Sequence, residues 1–129
     1  MKYISYLYSR VTKKLDYINT KIYKQNMEKD FEVKQDGNVL NILLGKDLAT
    51  ANAPMLTEEL TKYKEQGITK VVFDATKLTF LASSGIRVVI FCKQKLGGSP
   101  EIVFVNCAKE IYDIFDMTGI RSFITFVEK

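Results

Sequence analysis

Lys70-Val71-Val72-Phe73-Asp74-Ala75-Thr76-Lys77-Leu78-Thr79-Phe80-Leu81-Ala82-Ser83-Ser84-Gly85-Ile86-Arg87 is the stretch that decides the fold. Its first five residues form a short apolar run, the mark of a buried strand. Its last residues open a helix predicted from about Ser84 to Leu96, stopped by Gly97-Gly98-Ser99-Pro100. A buried strand feeding a helix is the unit of an α/β fold. Downstream the unit repeats. Ile102-Val103-Phe104-Val105 is a second buried strand, a helix follows from roughly Ala108 to Met117, Gly119 caps it, and Phe123–Val127 is a last strand. Upstream, Phe31–Gln35 alternates, Asp36-Gly37-Asn38 supplies turn chemistry, and Val39–Leu44 follows, which reads as a β-hairpin. Asn52-Ala53-Pro54 then opens a helix with Leu56, Leu60 and Tyr63 on its core face. Glu58 and Glu59 are expected near its positive end, and Gly67 to stop it. The order ββαβαβαβ predicts a mixed sheet of about four to five strands, with three to four helices mainly on one face.

The chain has 129 residues, enough for one domain with a sizeable core and no disulfides. No stretch approaches the ~20 apolar residues needed to span a bilayer, and no leader pattern opens the chain. Cys92 and Cys107 sit among apolar residues and read as buried free thiols of a reducing compartment, so a cytoplasmic protein is expected. There is no histidine. That removes Ser-His-Asp and Cys-His machinery and the common Cys/His zinc sites. No Gly-rich phosphate loop is present, because Gly97-Gly98 follows a helix instead of opening one. The expectation is a protein that is not an enzyme, with no metal and no cofactor.

The net charge of +4 is unevenly placed. Residues 1–27 carry six basic side chains against Asp16 alone, whereas residues 28–129 carry 13 basic and 14 acidic. The boundary at residue 27 separates a basic, Tyr-rich segment from the domain at 28–129. Within the segment Ile4, Tyr8, Val11, Leu15, Ile18 and Ile22 are spaced 4-3-4-3-4, an amphipathic helical stripe. Three readings are open: a helix packed on its own domain or on a second copy, a short homotypic coiled coil, or a helix on a membrane surface. Nucleic acid is not an expected partner, since the body is slightly acidic and one short basic segment makes no groove.

The loop before the second helix is the place for function. Ser83 or Ser84 falls at the expected N-cap, and Gly85 adds little bulk beside the hydroxyls. The unpaired N–H groups of a first helical turn favour an anion, while a phosphate there would add up to two negative charges to a contact surface. In the helix itself Gly85, Val88, Val89, Cys92 and Leu96 follow one face. Arg87, Phe91 and Lys95 follow another. Phe91 beside Arg87 suits a binding hot spot, or else is covered by a neighbouring element.

From about residue 28 to 129 the chain resembles the STAS domain, and within it the bacterial anti-sigma factor antagonists. Val71–Asp74 with Leu78–Arg87 resembles the family's strand, loop and switch helix. Leu48–Leu56 with Asn52-Ala53-Pro54 resembles its Leu-Asp-x-x-Thr/Asn-Ala segment. Ile114-Phe115-Asp116-Met117-Thr118-Gly119-Ile120 resembles its Phe-Asp-Met-Ser-Gly-Leu run. The resemblance implies binding to an anti-sigma factor of the ATP-binding serine kinase type. That partner phosphorylates a serine in the switch loop and the complex breaks; a phosphatase restores it. By position the acceptor is Ser84, with Ser83 second. The partner-binding set is Asp47, Asn52, Ser83, Ser84, Gly85, Arg87 and Phe91. Two usual aspartates are replaced, by Ala49 and Ala82, and Asp47 is the nearby acid that could stand in for one. The alternative is a non-phosphorylated STAS accessory or scaffold subunit of a membrane transport or stress-signalling assembly.

Overall fold

The computed structural model describes residues 31–129; the predicted N-terminal helix lies outside the described residues. β1 (Phe31–Asp36) and β2 (Val39–Leu44) form the expected hairpin, with Asp36 opposite Val39 across a tight turn where Gly37 takes φ +60°. β3 (Asp47–Leu48) is two residues long, and helix α1 (Ala53–Leu60) follows. Then come β4 (Lys70–Asp74), a second two-residue strand β5 (Phe80–Leu81), α2 (Ser83–Lys95), β6 (Glu101–Val105), α3 (Lys109–Met117) and β7 (Ile124–Val127).

Five strands make one sheet in the order β1-β2-β4-β6-β7, antiparallel at the hairpin and parallel elsewhere. Side chains alternate across a strand, so Leu40, Ile42, Leu44, Val71, Phe73, Ile102, Phe104 and Ile124 share one face. They join Leu56 and Leu60 of α1, Val88, Val89 and Cys92 of α2, and Ile111 and Phe115 of α3 in a single core. All three helices therefore cover the same side. Phe73 stacks on Phe104 with ring centroids 4.8 Å apart, and Phe115 meets Phe104 edge-on at 5.0 Å. Such pairs add about 0.5–1.5 kcal/mol beyond the area they bury. Among the described residues no helix is long and apolar enough to cross a membrane.

One expectation is corrected here. α1 stops at Leu60 and continues as a 3-10 turn, Thr61–Tyr63, before the chain reverses at Gly67 with φ +67°. Glu58 and Glu59 thus lie in the last turn, at the negative end of the helix. Lys62 offsets this for Glu59, with Nζ 2.9 Å from Oε2.

Candidate functional site

The two short strands build the site. β3 and β5 pair in parallel, Asp47 opposite Phe80 and Leu48 opposite Leu81. The Thr79 and Phe80 amides donate to the Lys46 carbonyl, and the Ala82 amide donates to the Leu48 carbonyl at 3.0 Å. This ribbon holds the loop before α1 against the loop before α2, loops that stand more than thirty residues apart in sequence.

Asn52 pins the first loop. Its Oδ1 accepts from the Ala49 amide at 2.9 Å and its Nδ2 donates to the Asp47 carbonyl at 2.7 Å. It is the buried polar side chain of the described core. Expected in the partner-binding set, Asn52 is instead an internal tie that shapes the loop, because both ends of its amide are already engaged.

Gly85 joins the two loops. It lies inside α2, and a Cβ built there would stand 2.6 Å from the Leu48 carbonyl oxygen and 2.6 Å from Leu81 Cδ1. The glycine is needed for close approach of helix and ribbon, and not for a turn. The N-cap is Ala82, in extended backbone with no side chain to cap the first turn. Neither serine caps the helix. Ser83 is exposed; Ser84 is half-buried, and its Oγ is shielded without a hydrogen-bond partner.

The other predicted residues divide. Asp47 and Arg87 are exposed near the two loops, and Arg87 forms no ion pair among the described residues. Phe91 is half-buried against the core, with the Lys64 ammonium 5.6 Å from its ring centroid. Two residues outside the predicted partner-binding set stand out instead. Phe80, in the ribbon, is 55% exposed, and Met55, in the first turn of α1, is 54% exposed. The signal for Phe80 was its place between the buried Leu78 and Leu81. Both flanking leucines point inward, leaving Phe80 outside. The thiols are free, and burial pushes Cys92 up to about 12 and Cys107 up to about 11. Neither is a thiolate near neutral pH.

The STAS domain family matches residues 30–129. The chain belongs to the STAS domain family. A Bordetella bronchiseptica STAS relative, named as a candidate anti-sigma factor antagonist, BtrV, is 31% identical over 90 residues, 69% of this chain and 77% of its own. An anti-sigma factor antagonist from Mycobacterium paratuberculosis shares the fold at a TM-score of 0.64 and 18% identity, over 75% of this chain and 83% of its own. So does SpoIIAA, an anti-sigma factor antagonist solved in its unphosphorylated form, at 0.64 and 16%, over 74% and 86%. The Bacillus SpoIIAA in its phosphorylated form aligns at 0.58 over 74% of this chain and 89% of its own. The order of elements and the mixed sheet expected of a STAS fold are thus found. The described elements add the two-residue ribbon and the 3-10 turns Thr61–Tyr63 and Ile120–Phe123.

Proposed function

We propose that this STAS protein is a cytoplasmic anti-sigma factor antagonist, a binding module and not a catalyst. Its docking surface is the pair of loops joined by β3 and β5. Its partner is an ATP-binding anti-sigma factor kinase, which phosphorylates the start of α2 and so breaks the complex, and a phosphatase reverses the step. The observation that supports this reading is the conjunction at one end of the domain. Two serines open a helix whose first turn has no capping side chain, and the segments held together by the ribbon also carry the exposed Phe80 and, at the start of α1, the exposed Met55. An apolar contact patch gives affinity. A dianion added at its centre repels and must be desolvated unless an arginine answers it.

Ser84 is the acceptor by its position before Gly85, and Ser83 is the more exposed hydroxyl. For Ser84 to receive a phosphoryl group its Oγ must turn out of its shielded position. An Oγ buried without a partner lowers the cost of leaving, since no hydrogen bond is lost. The experiment is a pull-down from native cytosol with ATP, followed by intact mass of the wild type, Ser83→Ala and Ser84→Ala. Capture of an ATP-binding anti-sigma factor with one phosphate lost only in Ser84→Ala is the expected result. Loss only in Ser83→Ala moves the acceptor by one residue. Capture of transport or scaffold components without phosphate supports the accessory reading, which Ala49 and Ala82 favour by removing the acidic groups beside the loop.

A further inference from the structure

The sheet has a second face, and the helices among the described residues leave it alone. The strand registers set Glu32, Leu43, Asp74, Val105 and Val127 in one row across all five strands. Lys34, Asn41, Val72, Val103 and Thr125 form the next row. These side chains point away from the core that α1, α2 and α3 cover. Yet the middle of this face is apolar. Val103 and Val105 are each only 5% exposed, while Leu43 and Val127 at the flanks are 40% and 37% exposed. Parallel strands with apolar residues on both sides belong to sheets covered on both faces. Here four strands run parallel, and α1, α2 and α3 account for one cover.

We propose that residues 4–22 form an amphipathic helix that lies across this second face as its other cover. Ile4, Tyr8, Val11, Leu15, Ile18 and Ile22 supply a matching apolar stripe. As a helix that segment spans about 27 Å, against a five-stranded sheet about 19 Å wide. The chain enters β1 at Phe31, beside Leu44, at the same end of the sheet as Asp74, Val105 and Val127. Residues 23–30 can extend about 26–29 Å, enough to return the helix onto the face. Charge selects this occupant over a second copy of the domain. The face presents Glu32, Asp36, Asp74 and Glu101 against Lys34, Lys70 and Lys129, a slight negative excess that attracts a strongly basic segment and offers nothing to a second copy of itself. The segment at 1–27 carries +5. A groove on the face, bordered by Lys34, Asn41, Leu43, Val72, Asp74 and Val105, receives its side chains.

The test is amide hydrogen exchange on the full chain, with sedimentation at the same concentration. Leu43→Glu is the decisive variant, because Leu43 is on the surface and its change spares the core. Leu15→Glu and Met117→Glu accompany it, the latter at an 85% exposed site in α3. The expected result is protection of residues 4–22 in a monomer. It falls at least about tenfold in Leu43→Glu and Leu15→Glu and persists in Met117→Glu. Free exchange of 4–22 in the wild type overturns the proposal. So does protection that survives Leu43→Glu, or protection seen only where sedimentation reports a dimer, which would make the occupant a second copy.

Discussion

Gly85 is where one methyl group decides the geometry of the site. In an exposed helix interior, replacing glycine by alanine stabilises by about 0.5–1 kcal/mol. Here the added Cβ meets the Leu48 carbonyl oxygen at 2.6 Å, a backbone atom that cannot swing aside. Gly85→Ala is therefore expected to reverse the usual sign and cost about 1–3 kcal/mol, as overpacking does. A urea midpoint that falls checks it, and one that rises would mean that helix and ribbon are free to part. Asn52 gives the complementary test of a deletion. Asn52→Ala leaves the Ala49 amide and the Asp47 carbonyl without their partner and is expected to cost about 1–3 kcal/mol. The loss should appear in the same denaturation experiment, together with weaker partner capture, because the loop it ties belongs to the proposed docking surface.

At the scale of elements, the two-residue strands β3 and β5 turn two remote loops into one surface, and the exposed side chains along it should carry binding without carrying stability. Phe80→Ser and Met55→Ser remove apolar surface already facing solvent, so unfolding free energy should stay within about 0.5 kcal/mol of wild type. Affinity for the captured anti-sigma factor should fall about tenfold or more for Phe80→Ser, the loss of a hot-spot aromatic. Calorimetric titration against the purified partner reads the difference, and unchanged affinity would move the interface elsewhere. The same ribbon shows where sequence reading stops. Strands β2, β4 and β6 were legible because their apolar runs are long enough to show a pattern, and the loop before α2 because Ser83-Ser84-Gly85 sits between a strand and a helix. Asp47-Leu48 and Phe80-Leu81 are too short for any period to register. Asn52 looks like a surface ligand until burial shows both ends of its amide in use. The Lys64 ammonium stands 5.6 Å from the Phe91 ring centroid, and no local pattern connects residues twenty-seven positions apart. Helix polarity misled for a like reason: Glu58 and Glu59 lie near the end of α1 because that helix closes after eight residues.

The described residues, as a whole, rest on one core in which Cys92 behaves as a small apolar side chain, and this gives the fold's stability a pH dependence. Burial raises the Cys92 thiol from its ordinary 9.0 to about 12, and Cys107 moves the same way to about 11. The folded state thus holds these protons more tightly than the unfolded chain. Below pH 9 both states keep them and the contribution is fully present. Above pH 9 the unfolded chain releases them first, so stability falls as pH rises toward the folded values. For the buried Cys92 the expected slope between about pH 9.5 and 11 is about 1.4 kcal/mol per pH unit. Urea midpoints measured at pH 7.5, 9.5 and 10.5 on the wild type and on Cys92→Ala separate this contribution from those of the other titrating groups. Cys92→Ala starts lower, because it opens a cavity beside Val88 and Val89, but should lose less between pH 9.5 and 10.5 than the wild type. Parallel losses in the two proteins would show that the thiol is not held neutral by the core, and would place Cys92 in contact with water that the packing of α2 on the sheet should exclude.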